Sequence, residues 1–272
     1  MRCEIEPVKP LIGGIVHVDR TSLFDDAVIQ RCLEALEDRG VLVFPRVGLS
    51  DAEQLAFTDA LGTRVKFTRG PEVYEITLDP ERNQEPEYVQ GTFFWHIDGV
   101  TIDMPPPRAT LLSARRTSAK GGQTEFSNTY AAYEHLPEEE KQELAGLRAV
   151  HSVAASMRPV AEATGPEDLK RWSRMPSYEH PLVWTHRSGR KSLLIGSHAD
   201  RVVGLPVPDG RALLTRLQQW SSQPSFCYRH AWQEGDLVVW DNCGTMHRVI
   251  PYDAGSGRSM HRTSIAGVEH VR

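Results

Sequence analysis

Short β-rich runs separated by glycine, proline and asparagine dominate the chain from about residue 66 onward. They are rich in the branched and aromatic residues that favour strands. Seven or more such runs at this spacing predict a closed or double-sheet β architecture. The runs are VYEITL (73–78), ATLLSA (109–114), PLVWTH (181–186), SLLIGS (192–197), FCYRHAW (226–232), DLVVW (236–240) and HRTSIAG (261–267).

The first ninety residues instead alternate helical and strand signals. Apolar residues at helical spacing predict a helix over residues 22–39, which Gly40 ends. The apolar run 41–44 predicts a short buried strand. Ser50 and Glu53 have the spacing of a capping box, which predicts the start of a second helix.

Three segments interrupt the β-rich region. Residues 129–146 and 210–221 carry apolar residues at helical spacing and are predicted to be helical insertions. Residues 154–180 are rich in Pro, Arg, Glu and Ser without clear periodicity, which is typical of a functional lid or of a disordered loop, and we expect a lid. Because no repeat or linker is evident, we expect a single domain over residues 1–272.

The composition, with a net charge of −5, gives no reason to expect a nucleic-acid partner. The N-terminus lacks the apolar core of a signal peptide, and no apolar run is long enough to span a membrane. The cysteines show no C-x-x-C spacing, so we expect reduced thiols in a cytoplasmic protein. Whether the chain forms a homo-oligomer is open. The four cysteines are Cys3, Cys32, Cys227 and Cys243.

The pattern H-x-D occurs three times, at His17–Asp19, His96–Asp98 and His198–Asp200. In an extended chain residues i and i+2 face the same way, so the pattern aims an imidazole and a carboxylate together. Two histidines and one carboxylate form the facial triad that binds non-haem Fe(II). The first pair precedes a helix and is typical of a turn or cap, and the third favours a histidine that lines a pocket.

The pair His96–Asp98 has the context of a metal site, since aromatic residues precede it and a strongly β segment follows. We expect its third ligand to be His247, which follows a buried strand and a tight polar turn. Arg258 and Arg262 lie eleven and fifteen residues beyond His247, on a strand expected beside it and with both side chains on one face. A guanidinium group binds a carboxylate through two hydrogen bonds, and Thr124 adds a hydroxyl for the same anion.

These residues and their flanking motifs resemble the taurine/2,4-dichlorophenoxyacetate dioxygenase family. The resemblance implies a mainly β fold with helical insertions, the double-stranded β-helix (jelly roll), and an enzyme that uses Fe(II), 2-oxoglutarate and O2. It is closest to the aryloxyalkanoate branch, through the segment LLIGSHADRVVGLPVPDGRALL (193–214). The other motifs span nearly the whole chain and are WHxD, PPPRATLLSA, GGQTEFSNTYAAYEHLP, PLVWTHRSGRKSL, WQEGDLVVWDNCGTMHR and RSMHRT.

Position by position, the resemblance implies a role for each candidate residue. His96, Asp98 and His247 correspond to the iron ligands. Thr124 and Arg258 correspond to the residues that hold the distal carboxylate of 2-oxoglutarate. Because the family's halogenating members lack the carboxylate ligand, the presence of an aspartate argues against halogenation.

The resemblance also implies a substrate site beside the iron. His198 is expected near the substrate and not on the metal. Thr92 stands where the taurine-specific enzymes carry an asparagine, which disfavours taurine itself. Arg262 corresponds to the family's second arginine, which would take part in catalysis or in co-substrate binding. As a hypothesis, a substrate carboxylate is anchored by Arg262, or by Arg158 or Arg174 of the predicted lid. The residues predicted to contact the substrate are Thr92, Phe94, His198 and Arg262.

The implied reaction is hydroxylation of a C–H bond in a small anionic substrate of aryloxyalkanoate type, with release of succinate and CO2. If the hydroxylated carbon bears an ether oxygen, the product collapses and its C–O bond breaks. The same chemistry on an alkyl sulfate or sulfonate, an amino-acid derivative or a natural-product intermediate stays open. Two other classes are a zinc hydrolase on the same three ligands and a non-catalytic iron or 2-oxoglutarate sensor.

Overall fold

The computed structural model describes residues 3–66, 71–160 and 165–271 as stacked β-sheets with flanking helices. No helix within these ranges is both long and apolar enough to cross a bilayer. The strands are β1 (Glu4–Pro7), β2 (Gly14–His17), β3 (Val41–Phe44), β4 (Tyr74–Ile76), β5 (Ala109–Arg116), β6 (Thr124–Asn128), β7 (Arg148–Ser152), β8 (Ser177–Pro181), β9 (Val183–Thr185), β10 (Lys191–Leu193), β11 (Ala199–Val202), β12 (Cys227–His230), β13 (Leu237–Asp241), β14 (Thr245–Val249) and β15 (Ser259–Ile265). The helices are α1 (Asp26–Arg39), α2 (Asp51–Leu61), α3 (Pro86–Gly91), α4 (Thr129–Glu134), α5 (Glu138–Leu144), α6 (Val153–Met157), α7 (Pro166–Ser173) and α8 (Val207–Ser221).

Two sheets form the body of the fold. The larger has seven strands in the order β1-β2-β3-β13-β5-β15-β4, and the smaller has three in the order β12-β6-β14. Their inner faces share a core in which Phe126 of the small sheet packs against Trp240 of the large sheet, with ring centroids 5.5 Å apart. This sandwich is the predicted double-stranded β-helix, mainly β with helical insertions.

Helices α1 and α2 cover the outer face of the large sheet. Val28 and Leu36 of α1 and Phe57 of α2 pack against Leu42 and Val239 of the sheet. Because β3 and β13 are therefore buried on both faces, residues 41–44 and 237–240 are continuously apolar instead of alternating. This explains why short runs such as 41–44 could be recognised as buried strands.

The predicted N-terminal elements are confirmed, with one difference in a boundary. The first helix ends as expected at Gly40, which has a left-handed φ of 72° and donates its N–H to Leu36 O. It begins at Asp26, because residues 20–22 form a separate 3-10 turn. The capping box of α2 is complete, since Ser50 and Glu53 each accept the other's backbone N–H.

The predicted helical insertions differ in detail from the observed ones. Residues 129–146 form two helices, α4 and α5, because Pro137 has no N–H to continue the first and restricts the residue before it. The second insertion begins three residues earlier than expected, at Val207. The predicted lid contains α6, α7 and part of β8, and its residues 161–164 lie outside the described ranges.

The expected pairing of the two C-terminal strands is wrong. β14, which carries His247, pairs with β6 in the small sheet, whereas β15 pairs with β4 and β5 in the large one. Arg258 precedes β15, and a register shift separates Ser259 from Met260, so the predicted common face for Arg258 and Arg262 does not apply.

Candidate functional site

The H-x-D segment at His96 is joined directly to β14. His96 N–H donates to His247 O at 3.0 Å, and His247 N–H donates to His96 O at 2.8 Å. This isolated antiparallel bridge brings together residues 151 positions apart in sequence, and it places ligand atoms of His96, Asp98 and His247 within 4.8 Å of one another. Within residues 3–66, 71–160 and 165–271 no other group of His, Cys, Asp or Glu side chains meets that criterion.

The three side chains converge without bonding to one another. Asp98 Oδ1 lies 3.8 Å from His96 Nε2 and 3.9 Å from His247 Nε2, which is too far for hydrogen bonds. His96 Nδ1–H donates to Phe94 O at 2.8 Å, which leaves Nε2 free to bind a cation. Thr110 donates to Asp98 Oδ2 at 3.0 Å and leaves Oδ1 facing the imidazoles. Two imidazoles and one carboxylate are the donor set that suits non-haem Fe(II).

The electrostatics favour the protonation states that a metal requires. Burial alone raises the pKa of Asp98, but the charges of Arg262, His247 and His96 and the Thr110 hydrogen bond outweigh it and lower the pKa to about 2. Burial, reinforced by the charge of His96, lowers the pKa of His247 to about 3. At neutral pH the aspartate is therefore ionised and His247 is neutral.

A second polar cluster surrounds Arg258. Its guanidinium stacks on the Tyr252 ring, with the central carbon 4.7 Å from the ring centroid. Arg258 is 2% exposed, and its Nη2 has no hydrogen-bond partner among the described residues. A Cβ at Gly122, whose φ is +77°, would lie 3.1 Å from Arg258 Cδ and Nε, so a glycine is required beside this side chain.

Thr124 is a second buried donor, bonded to Trp232, which lines a cavity together with that arginine. Its hydroxyl oxygen accepts the Trp232 Nε1–H at 2.9 Å, and in the part of the chain that the structure describes its own proton has no acceptor. Trp232, Arg258 and Gly122 line a cavity of about 60 Å³. Since an unpaired buried donor is costly, the free Nη2 of Arg258 beside this cavity fits an anionic group such as a carboxylate.

Arg262 lies nearer the three candidate ligands. It projects from β15, is partly buried, and its charge lowers the pKa of Asp98. It forms no ion pair shorter than 4.0 Å with another described residue. The site therefore holds a second cation that an anion could bind.

Two of the predicted substrate contacts are engaged inside the protein. Thr92 Oγ1–H donates to Val89 O at 2.6 Å, at the end of α3, so its proton is not free for a substrate. His198 is 1% exposed, and both of its ring nitrogens have partners within the protein. Phe94 differs from both, since it is 36% exposed two residues before His96.

His198 belongs to a buried histidine cluster that the sequence did not reveal. Its Nε2 accepts Ile97 N–H at 3.1 Å, so its proton is on Nδ1 and donates to His151 Nδ1 at 2.7 Å. His180 Nε2–H donates to Val100 O at 3.1 Å. The cluster therefore holds the backbone on both sides of Asp98, and its role is to fix the loop that carries the H-x-D pair.

The other H-x-D pairs do not form sites. His17 pairs with Glu6 on the surface at 2.9 Å. At the third pair, a register shift between Ala199 and Arg201 separates the two side chains, so the histidine is buried and Asp200 points outward. Asp200 bonds Arg158 at 2.6 Å, so the guanidinium of this candidate anchor is paired in the structure. Arg174 is exposed.

Comparison with known proteins identifies relatives of the whole chain. The profile of the family described as "Taurine catabolism dioxygenase TauD, TfdA family" matches residues 4–264. The chain is 35% identical to the alpha-ketoglutarate-dependent 2,4-dichlorophenoxyacetate dioxygenase of Cupriavidus pinatubonensis, over 95% of this chain and 96% of that protein. It is 33% identical to an alkylsulfatase of Acinetobacter baylyi, over 94% of this chain and 81% of that protein. The crystal structure of AAD-2 in complex with Mn(II) and N-oxalylglycine superposes with a TM-score of 0.84 and 31% identity, covering 100% of both chains.

Proposed function

Because the chain belongs to the TauD, TfdA family and is an Fe(II)- and 2-oxoglutarate-dependent dioxygenase, we propose that His96, Asp98 and His247 hold its iron. The observation that carries this assignment is the convergence of their ligand atoms within 4.8 Å. The neutral state of His247 and the ionised state of Asp98 support it. A zinc hydrolase that uses the same three ligands would give no role to the two buried donors, the Thr124 hydroxyl and Arg258 Nη2.

Thr124 and Arg258 hold the distal carboxylate of 2-oxoglutarate in this proposal. Both are buried donors that have no anionic partner among the described residues, and the stacked Tyr252 ring keeps the guanidinium in place. A carboxylate bound between them would accept from the Thr124 hydroxyl and from the free Arg258 nitrogen. The charge-assisted hydrogen bonds would offset the cost of burying the arginine.

The iron, when bound with 2-oxoglutarate and O2, supplies the oxidation of a C–H bond, while 2-oxoglutarate becomes succinate and CO2. The chain contributes orientation and charge. His96 is oriented through Phe94 O, and Asp98 is oriented by Thr110, whose hydroxyl in turn accepts from Asn242 at 2.8 Å. These contacts fix the ligands before any metal arrives, which is the preorganisation that such chemistry needs.

The proposed substrate is a small carboxylate of aryloxyalkanoate type. Arg262 is a partly buried cation beside Asp98 and can anchor the carboxylate, while the exposed ring of Phe94 offers an apolar contact at the entrance. The 2,4-dichlorophenoxyacetate dioxygenase relative supports this class, and hydroxylation next to the ether oxygen would then break the C–O bond. An alkyl sulfate is the second candidate, supported by the alkylsulfatase relative.

The test is a comparison of substrates with the purified enzyme, Fe(II), 2-oxoglutarate and O2. We expect 2,4-dichlorophenoxyacetate to give equal amounts of succinate and 2,4-dichlorophenol, and Arg262→Gln to raise its KM. Succinate and inorganic sulfate from a short alkyl sulfate, with no reaction of the aryloxyacetate, would favour the second substrate class. Product formed without O2 and 2-oxoglutarate would contradict the dioxygenase assignment and favour the hydrolase.

We also propose a cytoplasmic location. Its support is that all four cysteines, Cys3, Cys32, Cys227 and Cys243, are free thiols, as expected in a reducing compartment.

A further inference from the structure

We propose that Trp232 is a positioning residue for the co-substrate. Its indole N–H fixes the Thr124 hydroxyl so that the hydroxyl donates its only proton to the distal carboxylate of 2-oxoglutarate. The inference rests on the proposed function, which gives Thr124 that carboxylate as its partner. Trp232 itself need not touch the co-substrate.

The hydrogen bond between the two side chains sets the direction of the hydroxyl. Trp232 Nε1–H can only donate, and it lies 2.9 Å from Thr124 Oγ1. Because one lone pair of Oγ1 is occupied in this way, the hydroxyl proton must point elsewhere. Thr124 is 1% exposed and has no acceptor among the described residues, so the proton is left for a ligand.

The Trp232 indole is itself held in place by the ring of His230. Trp232 meets the His230 ring edge to face, with centroids 4.6 Å apart. His230 Nε2–H donates to the buried Asp236 at 3.0 Å, and its Nδ1 accepts the Tyr228 hydroxyl at 2.8 Å. Because His230 pairs with Thr124 in the register of β12 and β6, the contact with His230 holds the Trp232 indole beside Thr124.

The same indole also borders the cavity of Arg258. Removing its N–H while keeping an aromatic ring should leave the cavity walls in place but free the Thr124 hydroxyl to rotate. A hydrogen bond of ordinary net strength corresponds to about a fivefold change in an equilibrium constant. We therefore expect Trp232→Phe to weaken 2-oxoglutarate binding about fivefold and to leave kcat nearly unchanged.

The experiment measures dissociation constants of 2-oxoglutarate and of 2-oxopentanoate for the anaerobic Fe(II)-loaded enzyme by calorimetry. 2-Oxopentanoate has a methyl group in place of the distal carboxylate. The variants are Trp232→Phe, Thr124→Val and the double variant. Trp220→Phe is the matched control, because the Trp220 indole donates to Ala132 O and not to Thr124.

We expect Trp232→Phe to weaken 2-oxoglutarate binding but not 2-oxopentanoate binding, and the double variant to bind no worse than Thr124→Val. Equal losses for both oxoacids, or losses that multiply in the double variant, would overturn the role of Trp232. A Thr124→Val variant with unchanged 2-oxoglutarate affinity would instead overturn the assignment of Thr124 under the proposed function. The Trp220→Phe control should match the wild type for both oxoacids.

Discussion

Arg258 shows at the scale of a single residue how the proposed co-substrate site is built. Burial lowers the pKa of its guanidinium, which nevertheless stays charged because its ordinary pKa is so high. The side chain has a glycine on one side and an aromatic ring on the other, and its Nη2 has no partner in the described ranges. A charged group in this position is most stable when an anion is bound.

Replacement of Arg258 by glutamine tests that reasoning. The variant keeps a donor but loses the charge and the paired geometry, so we expect the KM for 2-oxoglutarate to rise on the order of a hundredfold. Steady-state kinetics with varied 2-oxoglutarate measure it. Arg201→Gln, which removes a surface ion pair with Asp200, is the control and should leave the KM unchanged. An unchanged KM for Arg258→Gln would contradict the assignment.

Thr110 lies in the motif PPPRATLLSA, but the sequence alone gave it no role at the site. It lies on β5, twelve positions after Asp98, and only the folded structure brings its hydroxyl to the carboxylate at 3.0 Å. Its oxygen also accepts from Asn242, so the hydroxyl proton is directed at Asp98. The orientation of the Asp98 carboxylate therefore depends on β5 of the large sheet, whereas the H-x-D segment is bridged to β14 of the small sheet.

We predict that Thr110→Val weakens metal binding about tenfold, since loss of a group that orients a ligand typically costs ten- to a hundredfold in affinity. Anaerobic calorimetry with Mn(II) measures this loss without turnover. Thr185→Val, at an exposed threonine of β9, provides the control. An affinity equal to the wild type would show that Asp98 is oriented by other contacts.

At the scale of elements, local sequence signals predicted where helices begin and end better than they predicted which strands pair. The capping box and the Gly40 stop were predictable because each depends on residues within one turn of the helix end. The pairing of β14 and β15 was not, because adjacent segments of the chain enter different sheets and the choice depends on packing across the sandwich. The H-x-D pair and His247 could be recognised by residue type, whereas their backbone bridge could not.

Removing the capping box tests the local part of this reasoning. Ser50→Ala deletes the side chain that accepts Glu53 N–H at the start of α2, so we expect a loss of about 1 kcal/mol in the free energy of unfolding. Urea denaturation monitored by circular dichroism measures it. Ser225→Ala, at an exposed loop position, should change stability little. Equal effects of the two substitutions would show that the cap contributes nothing specific.

At the scale of the whole molecule, one buried carboxyl group links stability to pH. Burial raises the pKa of Asp241 to about 6, while its backbone contact with Cys243 N–H and the charge of Arg108 only partly compensate. An unfolded chain titrates the same group near pH 4. The folded state therefore holds a proton that the unfolded state has lost between about pH 4 and 6, so this group makes the protein less stable as the pH rises through that interval.

Asp241→Asn should remove this dependence. The amide oxygen can still accept Cys243 N–H, and no charge has to be buried. We expect the variant to be more stable than the wild type by about 2–3 kcal/mol at pH 7.5 and nearly equal to it below pH 4. Denaturation curves at both pH values measure the difference, with the exposed Asp103→Asn as control. A constant difference across that range would contradict the link to proton binding.

The most direct measurement of the iron assignment is an anaerobic titration of Fe(II) in the presence of 2-oxoglutarate, followed through the metal-to-ligand charge-transfer band. We predict one equivalent of Fe(II) per chain in the wild type and in His17→Ala, which alters a different H-x-D pair. His247→Ala and Asp98→Ala should lose the band. A band of full intensity in His247→Ala, with the same stoichiometry, would show that the iron binds elsewhere.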